Sequence, residues 1–428
     1  MRRSTSRAHT VRALVVGWVI ASALVVSATA DEPLLPFRSM RAMGLGNAYE
    51  AVADDLFALD YNPAGLANID AFTLAIVLGQ ARISEDLADG LSNLEELLDE
   101  INELSKQDQG DILASSAIDD IVDRIENLRR QKLKMNATVG LARVALPLPE
   151  IAGFRLVGAA SVSNQLVIGI NLDRAGLPWS SVVLDVLDDE FTLDASLEVF
   201  TMQFAAAAEK DMSTPFVERV RVGAGLRFVN RKIKRDSFTL TDMLDPDRFK
   251  ADHFDTTTDD GSVDSFGDIQ DIIDNNTESE TGQGVDVGVQ VDHTDYLTTA
   301  LVVRSLFSDI GDDTFPTTTT ISAAVKPLTF LDQENSLVDL VVAAGYSDGA
   351  GDDAQEAFLN DSVTDNIHLG VEAVLFPNSP LNLALRFGDN QGFSTWSAEV
   401  RLAFFRAGVG WYGDLETDYR TAELSFVF

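Results

Sequence analysis

Charge in this sequence recurs at every second position of otherwise apolar segments. Arg219, Arg221 and Arg227 interleave with Val220, Val222, Leu226 and Phe228, and Glu372, Arg386, Glu399, Arg401 and Glu423 stand in similar runs. A spacing of two places all the charge of a strand on one face and all its hydrocarbon on the other. Such a charged face can bind and gate a path, or it can simply pair its own ions. Covalent chemistry is poorly supplied. The chain has no cysteine and 4 His, one of them at position 9, and no serine, histidine and acid cluster stands out. The acid-rich stretches 236–280 and 348–353 lack EF-hand spacing. Gly44-Leu45-Gly46 would need a third glycine where Tyr49 stands, and a preceding strand, to hold a dinucleotide. We therefore expect no catalytic residue, metal or cofactor. With 68 acidic against 32 basic residues, a net charge of −36, nucleic acid is not an expected partner either.

The elements that carry these charges read as strands. Residues 381–388, 399–404 and 421–428 alternate in the same way as 219–228. About fourteen strands are predicted, near 71–84, 134–147, 153–171, 192–208, 216–235, 281–292, 296–306, 317–326, 336–347, 364–376, 380–388, 393–405, 407–413 and 419–428. Mean hydropathy of +0.05 suits a soluble protein and a barrel equally. Loop lengths decide between them. Every second connection (147–152, 209–215, 292–295, 327–335, 377–380 and a tight turn at Arg406) is short, whereas the others include 85–133, 173–191, 236–280, 307–316 and 346–363. Short turns on one side and long loops on the other are the pattern of a transmembrane antiparallel barrel, and a soluble sandwich has no reason to sort its loops by parity.

Residues 1–30 carry Arg2, Arg3, Arg7 and Arg12, then an apolar run from Ala13 to Val26, and end in Ala28-Thr29-Ala30. That is a secretory signal, with cleavage expected near Ala30. Within 85–133 the period changes: Leu87, Leu91, Leu94, Leu98 and Ile101, then Ile118, Ile121, Val122 and Ile125, fall at spacings of three and four. This predicts an inserted α-helical hairpin whose apolar stripes bury each other or dock a protein partner. Residues 236–280 read as an acidic extracellular loop.

Between signal and first strand lies a compact stretch, residues 31–70. Its small residues, Gly44, Gly46 and Ala48 among them, allow close backbone packing, and Asn62-Pro63-Ala64-Gly65 ends it with turn chemistry. The glycine run, Ala53-Asp54-Asp55 and then Tyr61-Asn62-Pro63-Ala64-Gly65-Leu66-Ala67 resemble the N-terminal hatch of the fatty-acid-transporter-like outer-membrane barrels. The helical insert, residues 204–234 and the ending Ala422-Glu423-Leu424-Ser425-Phe426-Val427-Phe428 resemble the TraF-like, conjugal-transfer branch of that group. The resemblance implies an outer-membrane barrel, 71–428, set in lipid and plugged by 31–70, passing small hydrophobic molecules. A surface interaction or assembly role, linked to conjugation or secretion and using the hairpin and acidic loops, is the alternative. Leu424, Phe426 and Phe428 resemble the C-terminal signal read by the barrel-assembly machinery.

Overall fold

A computed structural model describes residues 38–87, 133–175, 190–212, 216–239, 278–310, 313–314, 317–331, 337–349, 366–413 and 418–428, with 89, 90, 92, 93, 96, 124 and 214. Two short helices, α1 (Met40–Gly44) and α2 (Ala58–Tyr61), and a 3-10 turn (Pro63–Asn68) precede the strands. The strands are β1 (Thr73–Ser84), β2 (Leu133–Ile151), β3 (Phe154–Ala175), β4 (Glu190–Asp211), β5 (Arg219–Thr239), β6 (Glu278–Thr294) and β7 (Leu297–Ile310). They continue as β8 (Asp313–Thr314), β9 (Thr318–Val325), β10 (Val338–Gly349), β11 (Ile367–Leu375), β12 (Leu381–Asn390), β13 (Phe393–Leu402), β14 (Phe405–Gly413) and β15 (Asp418–Val427), with α3 (Pro327–Phe330) between β9 and β10.

All pairings are antiparallel. Each strand pairs with its neighbour, β1 meets β15, and β7 pairs with both β6 and β9, so fourteen strands close on themselves and β8 is a short addition at the end of β7. Closure removes the exposed edges that an open sheet would present. The predicted alternation is realised: Val222, Leu226, Phe387, Val400, Leu402 and Leu424 are exposed on the outside, while Arg221, Arg227, Arg386, Glu399 and Glu423 are buried inside.

β2 to β6 run 17–22 residues, whereas β9 to β15 have 8–12. Crossing a bilayer needs roughly 9–11 tilted residues. The excess lies on the side of the long connections, because the short turns hold the other ends level. The expected loops 173–191 and 236–280 are correspondingly shorter. Asp173–Ala175 pairs with residues 190–192, and Asp236–Thr239 pairs with residues 190–193. Thr and Phe at these positions suit a strand once a neighbour is there to pair with.

The tight turn expected at Arg406 sits instead at Ala403 and Phe404, between Leu402 and Phe405, and Arg406 pairs with Arg401 inside the β13–β14 ladder. Ala403 takes the positive φ of 50° that the two-residue turn requires. The apolar alternation runs through Phe404 because that ring joins the outer cluster with Phe426 and Phe428. Of the expected helical hairpin, residues 87, 89, 90, 92, 93, 96 and 124 are helical, and Arg124 pairs with Glu96 at 2.9 Å. Residues 85 and 86 form a turn and Leu133 begins β2, while the rest of the expected hairpin, the signal and residues 240–277 lie outside the described residues.

β1 and β2 each carry a bulge, where the register shifts between Val77 and Gly79 and between Val139 and Ala142. An extra residue reverses which side chains face inward. In β1 the buried set passes from Ala75 and Val77 to Gln80, Arg82 and Ser84, and in β2 from Thr138 to Leu141, Arg143 and Ala145. Gly140, at φ 72°, supplies the left-handed backbone for the second of these.

Candidate functional site

Residues 38–69 pack against the inward-facing side of the strands. Leu45, Ala48, Tyr49, Ala53, Leu59, Tyr61 and Leu66 are buried in one cluster with wall residues such as Ala145, Val157, Ala207 and Ala343, and Ala64 is buried as well. Small side chains on both surfaces let backbone meet backbone.

Glycine marks the closest approaches on each side. A Cβ at Gly44 would lie 2.1 Å from Ser397 Oγ, and one at Gly46, whose φ is +59°, would lie 2.4 Å from the Asp389 carbonyl oxygen. A Cβ at Gly65 would lie 2.4 Å from the Ala53 carbonyl oxygen, within the segment itself. The wall reciprocates: a Cβ at Gly223 would strike the Pro63 carbonyl carbon at 2.3 Å, at Gly288 the Asn62 Oδ1 at 2.1 Å, at Gly370 the Leu45 carbonyl oxygen at 2.5 Å, and at Gly388 the Gly46 nitrogen at 2.4 Å. These four wall glycines had no role in the sequence reading. Their signal was available, since each stands on the face that carries charge in its strand.

Asn62 is fully buried and acts as a clasp. Its Oδ1 accepts from the Ala64 N–H at 3.1 Å, capping the 3-10 turn, while its Nδ2 donates to the Glu50 carbonyl at 2.9 Å. Pro63 occupies the first position of that turn, where its missing N–H costs nothing. Gln290 of β6 donates to the carbonyls of Ala51 and Ala53, and His368 Nδ1 lies 3.0 Å from the Gly46 carbonyl.

Ionic contacts join segment to wall and bind the wall to itself around it. Arg143 of β2 meets Asp60 at 2.5 Å with both side chains about 1% exposed, and its guanidinium lies 4.8 Å above the Phe57 ring. Glu372 of β11 accepts from Arg41 at 2.8–3.0 Å and from Arg386 at 2.6 Å, and Arg386 also faces Glu399, which is paired with Arg401. Arg41 continues to Asp54 at 2.5 Å. Burial works against charge on Arg41, but Asp54 and Glu372 outweigh it and hold the guanidinium above its ordinary value. Arg304 reaches Glu50 at 3.3 Å. On the wall alone, Arg221 bridges Glu209 and Asp292, and Arg227 pairs with Asp286.

Burial also raises the phenols of Tyr49 and Tyr61, with Asp55 adding to the effect on Tyr49, so both stay neutral. Tyr49 donates to Asp55 at 2.7 Å, and the two rings meet edge to face at 4.9 Å. Glu423 is held by Gln80 and Ser425. Leu424, Phe426 and Phe428 lie on the outer face, and Phe428 exchanges two backbone hydrogen bonds with Leu74, of 2.8 and 3.0 Å. Among the described residues no group of three or more His, Asp or Glu is placed to hold a metal ion.

Residues 60–321 match the family model described as the F plasmid transfer operon TraF protein. The chain belongs to the TraF family. The matched span of this TraF-family chain begins at Asp60, inside the buried segment, and extends into β9, so it includes both partners of the Asp60–Arg143 pair. Curated proteins provide no match. Among solved structures, the chain is similar to the toluene transporter TbuX of Ralstonia pickettii, at 9% identity and a TM-score of 0.44, over 92% of this chain and 98% of that one. It is also similar to the toluene transporter TodX of P. putida, at 10% identity and a TM-score of 0.35, over 87% and 92%. The translocator domain of the autotransporter NalP from Neisseria meningitidis follows at 9% identity and 0.32, over 83% and 87%.

Proposed function

We propose that this protein is a non-enzymatic outer-membrane barrel that binds or passes small hydrophobic molecules, with residues 31–70 as a hatch that shifts to open the path. Residues 1–30 direct export, and 71–428 form the barrel. The observation that carries the reading is a closed barrel, apolar outside, whose inward-facing residues pack against residues 38–69. That segment meets the wall through an apolar cluster, through close backbone approaches at glycines and through buried ion pairs. A structural filler would be better fixed by apolar packing throughout, since buried ion pairs add little net stability. Docking through ion pairs suits a segment that must also leave, because each charge can rehydrate when released. The name TbuX carries, toluene transporter, agrees with a hydrophobic cargo.

The test uses Gly46→Trp, which is strained at a φ of +59° and whose Cβ would lie 2.4 Å from the Asp389 carbonyl oxygen. Assembled barrel is measured by heat-modifiable gel migration, and uptake of a hydrophobic fluorescent dye is measured alongside. Normal assembly with raised dye uptake is the expected result. Normal assembly with unchanged uptake refutes a gating hatch and leaves the surface-interaction reading, with the helical hairpin as the docking element.

A further inference from the structure

The residues on either side of α2 and the 3-10 turn come back to one place. Asn68 Nδ2 donates to the Ala53 carbonyl at 3.2 Å, which brings Asp54-Asp55 and Ile69-Asp70 together where the segment enters β1. Between them and the strands, the short-turn end of the barrel holds a cleft of about 230 Å³. Leu56, Ile69 and Val427 supply apolar lining, and Arg406 is the cation among the lining residues.

Arg406 is half-buried and follows the two-residue turn at Ala403 and Phe404. In the ladder it lies directly opposite Arg401, where like charges repel, and Arg401 has already taken Glu399. Among the described residues Arg406 itself makes no hydrogen bond or ion pair. The carboxylates whose charge reaches it are committed to other groups. Asp55 accepts from the Tyr49 hydroxyl and the Phe57 N–H, Glu399 faces Arg401 and Arg386, and Glu423 is held by Gln80 and Ser425. Arg221, Arg227 and Arg386, by contrast, each meet a carboxylate at 2.5–2.7 Å. Acid stands instead at the mouth of the cleft. Asp70 is exposed and pairs with no described residue, and Asp54 is exposed with its Oδ1 on Arg41 at 2.5 Å.

From this cleft we infer a binding site for a small zwitterion. Its carboxylate lies on the Arg406 guanidinium, its ammonium on Asp70 and Asp54, and its short aliphatic body on Leu56, Ile69 and Val427. A guanidinium fork matches a carboxylate in geometry, and an ammonium donates three hydrogen bonds to acceptors such as ionised aspartates. A pure anion would have to pass the two aspartates, and a pure cation would leave Arg406 unpaired, so both charges are needed. The volume lies below the roughly 300–1,000 Å³ of pockets for drug-sized ligands, which keeps the ligand small. Such a ligand spans segment and wall in the docked arrangement, so the site exists whether or not the segment moves.

The full chain in dodecyl maltoside is heated with leucine, whose charges are adjacent, or with ε-aminocaproate, whose charges lie at opposite ends. Isocaproate and isoamylamine, which are leucine without its ammonium and without its carboxylate, serve as half-molecules at equal ionic strength. Unfolding is followed by heat-modifiable migration, since a ligand that binds only the folded state raises the melting temperature with dose. The expected result is a dose-dependent rise with at least one zwitterion, larger than with either half-molecule. Arg406→Gln should abolish the rise, Arg406→Lys should retain part of it, and Asp70→Asn should lower it. A rise with leucine alone places the two charges of the ligand side by side, and with ε-aminocaproate alone places them apart. No rise with either zwitterion, an equal rise with a half-molecule, or an equal rise in Arg406→Gln overturns the inference. Should Arg406→Gln fail to assemble, Asp70→Asn decides, since that side chain is exposed and unpaired and its loss must still lower the rise.

Discussion

Asp60→Ala should loosen the N-terminal segment without harming the barrel. The pair it breaks has both side chains about 1% exposed and 2.5 Å between charges, with Arg143 also reaching the Leu56 carbonyl at 3.4 Å. Removing one partner of such a pair leaves the other buried and uncompensated, at about 3–5 kcal/mol. Water can enter the space of the lost carboxylate, so the lower end applies. At ~1.4 kcal/mol per tenfold, about 3 kcal/mol shifts the docked-to-released equilibrium roughly 100-fold. The chain has no cysteine, so Ala51→Cys gives a single reporter on the buried segment, 4% exposed when docked. Its labelling rate by a membrane-impermeant maleimide should rise roughly 100-fold in the Asp60→Ala background, with heat-modifiable migration unchanged. Replacing both partners, Asp60→Leu with Arg143→Leu, should return most of the protection, because an apolar pair leaves no charge stranded. An unchanged labelling rate in a normally assembled Asp60→Ala barrel would refute the ionic-latch reasoning.

Three further outcomes follow from the geometry. Leu226→Arg on the outer face of β5 should destabilise the assembled barrel by roughly 2–4 kcal/mol near mid-membrane. Gly225→Ser, whose Cβ meets nothing closer than 3.7 Å, should be mild, and equal effects in urea unfolding would show the register to be wrong. Gly288→Val must displace Asn62 and should raise labelling of the Ala51→Cys reporter, whereas Gly79→Ala, whose Cβ meets nothing within 4 Å, should leave it unchanged. Deleting Phe428 removes its two backbone bonds to Leu74 and its stacking on Phe404 at 5.2 Å, so less heat-modifiable barrel should accumulate while export into the periplasm continues.

Much of the barrel was legible because strand alternation is a local property. Arg221 and Leu226 declare their faces within one strand, and loop parity supplies the count. What stayed hidden is set by partners far away in sequence. The turn at Ala403 and Phe404 was masked by apolar alternation that continues into the outer aromatic cluster. The bulges in β1 and β2 leave no local mark beyond Gly79 and Gly140, yet they decide that Arg82 and Arg143 point inward. The lumen charges Arg221, Arg227, Glu372, Arg386, Glu399, Arg401 and Glu423 could be placed on a face. Their partners Arg41, Glu209 and Asp286 could not be assigned, since pairing follows from strand register and from how the segment folds back. Gly223, Gly288, Gly370 and Gly388 could have been noticed as glycines at inward positions, where an ordinary lumen-facing residue would carry a side chain.

The central claim is that residues 31–70 must move for the barrel to pass its cargo. Ala48 Cα lies 3.9 Å from a Cβ built at Gly345, within reach of a disulfide, and no native cysteine competes. Ala48→Cys with Gly345→Cys, oxidised in assembled barrels, fixes the segment to β10 without deleting anything. Uptake of a hydrophobic dye should fall to the level of cells lacking the protein when the bond is formed, and return on reduction. Uptake that is the same in oxidised and reduced barrels would contradict the account.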